Sequence, residues 1–263
     1  YAWARDVQKT NDATIWARLT DGQLFFKPAS ASEFQAHPIG RSSFGRSLMQ
    51  SLLVEDNGDL WLGGIGVLWY YRAATGQLVD LHERIRELTK NTCTIRQIFC
   101  DGTGVLWIAS DFGLLKVRKS DRVFTQYLSE RNEYSENQYC SMRGICGDDN
   151  GNIYFSYYNS IHVLNTFEDE LHPLFPQNNF TNAPYGLLYH RNALWTGNGC
   201  RIDLLSGRVD SLLPLDELTD KGVVVADDDD RLWFAYLNRL YRYDDRQKIL
   251  LPYEPAFPPE VDI

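Results

Sequence analysis

The sequence is short of several things that would assign it a class at once. It has five cysteines (Cys93, Cys100, Cys140, Cys146, Cys200), an odd number without CxxC spacing, and only two methionines. That excludes a disulfide framework and the usual zinc ligand patterns, and reads as free thiols. No stretch approaches 18 consecutive apolar residues, so no spanning helix is expected, and no charged segment followed by an apolar one opens the chain. Basic residues are too few for a sequence-independent grip on nucleic acid or an anionic membrane: 26 Lys+Arg face 35 Asp+Glu, a net charge of −9. The five histidines (His37, His82, His162, His172, His190) are scattered, without a Gly-x-Ser-x-Gly elbow, a His-Glu-x-x-His pair or a phosphate loop. Nothing in this points to an enzyme or to a cofactor.

What the sequence has is aromatics, 13% of 263 residues, and they recur. Aligned on the aromatic that follows each turn, "DATIWARLTDGQLFF", "NGDLWLGGIGVLWYY", "GTGVLWIASDFGLLKV", "NGNIYFSYYNSIHVL", "RNALWTGNGCRIDLL" and "DDRLWFAYLNRLYRY" are six copies of one unit. The anchors Trp16, Trp61, Trp107, Tyr154, Trp195 and Trp233 stand 45, 46, 47, 41 and 38 residues apart. Each unit reads as four short strands: an apolar run such as "IRQIFCD", a tight Asp/Asn/Gly turn, the anchor strand, a second turn, a third strand such as "GLLKVR", and a fourth such as "RVFTQYL". Four strands repeated at this period predict an all-β β-propeller of four-stranded antiparallel blades over 1–252, either six-bladed or part of a seven-bladed ring. The anchor should pack between neighbouring sheets. One segment breaks the pattern: in "LVDLHERIRELTK", residues 78–90, Leu81, Ile85 and Leu88 have helical spacing, which predicts a short helix or an irregular loop between blades.

A unit of the form D-x-x-G-x-L-W-I-G-T followed by G-L and an apolar strand resembles the two-component regulator propeller repeat. "EDNGDLWLGGIGVLWYY" and "CDGTGVLWIASDFGLLKV" carry the resemblance best, and "GDDNGNIYFSYYNSIHV" with "ADDDDRLWFAYLNRLYRY" more weakly. The resemblance implies the periplasmic sensor part of a Bacteroidetes-type hybrid two-component histidine kinase, responding to glycan-derived oligosaccharides and performing no chemistry itself. It also implies, as partners, a sibling propeller or an immunoglobulin-like domain of the same chain and a homodimer mate. On this reading "YEPAFPPEVDI", residues 253–263, is a Pro-rich lead into a following domain, and a chain that opens inside an apparent strand is an excised piece. Two other readings stay open: a scaffold propeller that binds only protein and mediates dimerisation, and a glycan-active or lyase-type enzyme with a site assembled from many blades.

The position eleven residues before each anchor holds Arg5, Gln50, Arg96, Arg143, Pro184 and Gly222. It falls in the first strand, which lines the channel of a propeller. Arg5, Gln50, Arg96 and Arg143 could therefore face one mouth, where guanidinium forks suit carboxylate or sulfate groups on a sugar. Bonds to carbonyls of neighbouring blades, or to local acids, would use them equally well. Three residues earlier stand Ala2, Ser47, Cys93, Cys140, Thr181 and Thr219, all small, as spacers near the axis. Cys100 and Cys146 read as core. Trp69, aligned with Lys116 of the next repeat, should face outward, where with Tyr71 it could stack on a sugar or meet a partner; packing under the 78–90 segment would explain it equally well. The acidic turns at 56–59, 148–152 and 227–230 lack calcium-loop spacing and read as hairpin turns.

Overall fold

The computed structural model describes residues 4–19, 22–39, 49–119, 123–128, 141–157, 160–176, 186–212, 222–236 and 239–253. Among these residues it holds six four-stranded antiparallel sheets, each a simple meander in chain order, and one helix: a six-bladed β-propeller. Two compact units divide the chain, Tyr1–Ser141 and Met142–Ile263.

In the first unit, sheet 1 is β1 (Ala4–Lys9), β2 (Ile15–Leu19), β3 (Leu24–Lys27) and β4 (Gln35–Ala36). Sheet 2 is β5 (Met49–Val54), β6 (Leu60–Gly64), β7 (Val67–Arg72) and β8 (Gln77–Asp80), followed by helix α1 (His82–Thr89). Sheet 3 is β9 (Ile95–Cys100), β10 (Leu106–Ser110), β11 (Gly113–Arg118) and β12 (Val123–Tyr127). The second unit holds sheet 4, with β13 (Met142–Gly147), β14 (Asn152–Tyr157), β15 (Ser160–Asn165) and β16 (Glu170–Leu174). Sheet 5 follows, with β17 (Leu187–His190), β18 (Ala193–Thr196), β19 (Cys200–Asp203) and β20 (Val209–Ser211). Sheet 6 is β21 (Val223–Ala226), β22 (Leu232–Tyr236), β23 (Arg239–Asp244) and β24 (Ile249–Tyr253).

Every anchor aromatic lies on the second strand of its sheet. That strand is covered on both faces, which is why "LWIAS" and "LWLGG" are continuous apolar and small runs, buried at every residue, and do not alternate. Fourth strands form the outer edges and are mostly exposed, as β8 and β4 are. Seams between successive sheets make the core. Trp16 packs with Leu52, Leu60 and Leu62 of sheet 2. Trp61 packs with Ile95, Ile98 and Leu115 of sheet 3, and Leu81, just before α1, and Ile85 of α1 plug that same seam. In the second unit Tyr154 packs with Leu187 and Leu194, and Trp195 with Val224 and Phe234.

In all six hairpins leading into the anchor strand the residue three before the anchor has positive φ. It is Gly58, Gly104 and Gly151 in three sheets, but Ala13 (φ 63) and Asp230 (φ 63) in two, where the side chain carries some strain. The remaining hairpin uses two positive-φ residues, Arg191 and Asn192. Tight sheet-to-sheet contact has its own glycine. A Cβ on Gly197 would stand 1.9 Å from the carbonyl oxygen of Gly222, so the two backbones meet where no side chain fits.

Candidate functional site

The first strands of sheets 1 to 3 lie side by side in the first unit, as those of sheets 4 to 6 do in the second. Position −11 falls on these strands, with Arg5 on β1, Gln50 on β5, Arg96 on β9 and Arg143 on β13, while Gly222 directly precedes β21. Pro184, and the side chain of Arg5, lie outside the described residues.

In the first unit the row is joined by side chains. Arg96 Nε donates to Asp111 Oδ1 at 2.8 Å, and Arg96 Nη1 donates to Gln50 Oε1 at 3.2 Å. Ser141 Oγ donates to the same Asp111 oxygen at 3.4 Å. The Arg96 side chain is 19% exposed and that of Asp111 only 7%, so this is a charge-assisted pair with little water around it. Arg96 thus bonds both a neighbouring blade and a local acid, and the guanidinium is neutralised from within its own sheet.

Below it the same strands are stitched by polar groups that sequence reading did not single out. Arg18 on β2, fully buried, donates from Nη1 to the Met49 carbonyl and from Nη2 to the Gln50 carbonyl, both at 3.0 Å. Asp6 accepts the Leu52 N–H at 2.9 Å; burial pushes its carboxyl up, and the Arg18 charge opposes that shift. Gln8 accepts the Val54 N–H at 2.9 Å and donates to the Leu52 carbonyl, as a peptide group of an extra strand would. Ser51 Oγ accepts the Ile98 N–H at 2.9 Å. The signal for Gln8 and Asp6 was a polar side chain alternating with Val7 on an inner strand. Arg18 carried no such signal, because its partners are carbonyls 31 and 32 residues away.

Arg143, on the second unit's β13, is partly buried. Of the small residues three positions earlier, Cys93 is fully buried and the other five fall outside the described residues. The Cys93 thiol is pushed up to about 11 and that of Cys146 higher still, both chiefly by burial, which keeps them protonated and unreactive. Cys100 and Cys200 are likewise free, and Cys100 is only half-buried.

Trp69 does not occupy the outward position expected for it. Strand register pairs Trp61 with Tyr70 and Trp107 with Lys116, so the structural equivalent of Lys116 is Tyr70, and Trp69 corresponds to the buried Leu115. A shift of one residue changes the face. Trp69 and Tyr71 both pack, partly buried, against the Trp16 and Leu52 seam, not beneath the 78–90 segment.

The acidic turns have a use of their own. Asp101 accepts N–H groups of Thr103 and Val105 and the Trp107 indole N–H at 2.7 Å. Asp227 holds Trp233 at 2.7 Å, Asp148 receives the Tyr154 hydroxyl at 3.1 Å, and Glu55 holds Trp61 at 2.6 Å. Asp59, buried, accepts the Tyr70 hydroxyl and the Ala73 N–H. Among the described residues no group of three or more His, Cys, Asp or Glu could hold a metal ion. No described helix is long and apolar enough to cross a membrane.

No family model matches the chain, and no curated protein matches it by sequence. Solved structures do. The extracellular domain of the hybrid two-component system BT4673 from B. thetaiotaomicron superposes with a TM-score of 0.67 at 13% identity, over 89% of this chain and 37% of that one. That of BT3049 from the same organism gives 0.51 at 13% identity, over 93% and 39%. Virginiamycin B lyase from Staphylococcus aureus gives 0.67 at 13% identity, over 96% and 84%. The chain spans well under half the length of the two extracellular domains. It therefore has the β-propeller fold found both in the extracellular domains of those two-component proteins and in the lyase.

Proposed function

We propose that this propeller is an extracytoplasmic sensor module of a hybrid two-component signalling protein, which binds glycan-derived oligosaccharides and passes the event to a histidine kinase in the same protein. The observation that supports the reading is a coincidence of two levels. The D-x-x-G-x-L-W repeat resembles the two-component regulator propeller repeat, and the fold it builds is that of the extracellular domain of BT4673 over 89% of the chain. Ligand would meet the first-strand row of the first unit, with the Gln50 amide and the Arg96 guanidinium as hydrogen-bonding edges and Arg5 as a further cation. Binding would shift the equilibrium between arrangements of the receptor, with a sibling propeller, an immunoglobulin-like domain or a second copy as the docking partner.

A second reading, a lyase-type or glycan-active enzyme, is favoured by the match to virginiamycin B lyase, which takes in 84% of that protein. A glycan array of neutral, uronic and sulfated oligosaccharides, probed with the labelled chain, tests the first reading. Selective retention on one class without change to the glycan supports it. Cleaved glycan would support the enzyme, and no retention would leave a protein-binding scaffold.

A further inference from the structure

His82 is the first residue of α1 and only 6% exposed, and neither of its ring nitrogens has a hydrogen-bond partner among the described residues. A buried imidazole in that state is a net burden on stability, since a hydrocarbon side chain would fill the place without orphaned polar atoms. What the imidazole adds is a proton site in the physiological range.

On balance the surroundings favour its neutral form: burial, the largest effect, pushes the pKa down, and the Asp80 and Glu83 carboxylates oppose that only in part. The carboxylate next to it, Asp80 of β8, already accepts the His82 backbone N–H at 2.8 Å. Glu83 is paired with Arg86, both largely exposed on the outer side of the helix, and Arg86 itself opposes a second positive charge. Arg84 and Glu87 stand further along α1. Of the strands packed against the helix, β12 has no charged residue, and β7 has only Arg72, at the end that pairs with Gln77 of β8 and away from Asp80. The positive end of the helix dipole also points at this residue and disfavours an imidazolium. Burial acts in the same direction on its pKa, downward.

We propose that His82 is a proton-sensitive latch: neutral, it lets α1 seat Leu81 and Ile85 in the seam between sheets 2 and 3, and protonated, it turns out to solvent and releases the first turn of the helix. Leu81 and Ile85 are 2% and 0% exposed in that seam, beside Trp61, Leu68, Ile95 and Leu115. The release is local, because the sheets on either side keep their own backbone ladders. Mild acidity would thus uncover an apolar strip on one side of the first unit without unfolding the blades.

Amide hydrogen exchange of the whole chain, corrected for intrinsic rates, tests this at about pH 7.5 and about pH 5. Protection over residues 82–89 should fall by about tenfold or more at the lower pH, while β6, β10 and β11 keep theirs. In His82→Phe, and in the polar but non-titrating His82→Gln, α1 protection should not depend on pH. Unchanged α1 protection in the native chain would overturn the proposal. So would a fall that persists in both variants, or one shared equally by the strands.

Discussion

Asp101 accepts the indole N–H of Trp107 at 2.7 Å, and the same bond joins the acid six residues before the anchor to its aromatic in three other sheets: Glu55 to Trp61, Asp148 to Tyr154 and Asp227 to Trp233. In sheets 3, 4 and 6 that one carboxylate also closes the hairpin turn by accepting backbone N–H groups, and in all four it fixes the polar tip of a ring whose body fills the blade. In these four of the six repeats the sharpest position is therefore a pair, acid and aromatic, and their acidic turns are part of the core's construction.

Removing the acid should loosen both ends of that pair. Asp101→Ala leaves the Trp107 N–H and two turn amides without their acceptor and should destabilise the fold by about 1–3 kcal/mol, measured by urea unfolding. Asp101→Asn keeps one acceptor oxygen and should lose less. The lowered carboxyl pKa of Asp101, set by bonds from Thr103, Trp107 and Val105 against the opposing effect of burial, means that its contribution is present at neutral pH. It is lost as the pH falls through the folded value.

Arg96 and Asp111 should behave as one unit. Arg96→Ala strands a carboxylate that is 7% exposed, so it should lower stability by about 1–3 kcal/mol and cannot be a silent probe of ligand binding. The double variant Arg96→Ala with Asp111→Ala should lose less than the sum of the two singles, which a double-mutant cycle in urea reads directly.

His162 gives a second, separate pH effect. Burial beside Phe155 and Tyr157, with the His172 charge adding to it, pushes its pKa down from 6.5 to about 4. Between those values the unfolded chain binds the proton and the folded chain does not, so stability should be full above about pH 6.5 and decline as the pH drops towards 4. His162→Phe should flatten that decline in unfolding measured across the range, and His82→Phe should not remove it.

Backbone contact between sheets 5 and 6 should tolerate no methyl group. Gly197→Ala drives a Cβ against the Gly222 carbonyl and should destabilise by about 3 kcal/mol or more, or prevent folding. Gly102→Ala, whose Cβ meets nothing within 4 Å, is the neutral control in the same thermal melt.

How far the residues disclosed this molecule depends on how local each feature is. The six anchors, the four-strand unit and the helical spacing of Leu81 and Ile85 are short-range patterns, and all reappear in the sheets and in α1. The acid at −6 is equally regular in four repeats, but its residue type suits a hairpin turn whether or not it bonds the anchor ring. The face of Trp69 is set by cross-strand register, which pairs Trp61 with Tyr70, and a sequence alignment of repeats with turns of different length does not carry that register. Asp111, Arg18 and Asp6 were not legible, since their roles depend on partners in other blades or across a turn. A buried arginine reading two carbonyls of the next sheet leaves no trace in local periodicity.

The sugar site proposed for this propeller is its first-strand row. The measurement that addresses it most directly is the thermal shift of the chain, and of Gln50→Ala, with the same neutral, uronic and sulfated oligosaccharides. Gln50 contributes one amide to the row, and its loss should leave the unliganded melting point nearly unchanged. A melting point that rises with ligand concentration for one sugar class, and rises less in Gln50→Ala, is the predicted result. No rise with any sugar, or an equal rise in the variant, would contradict it.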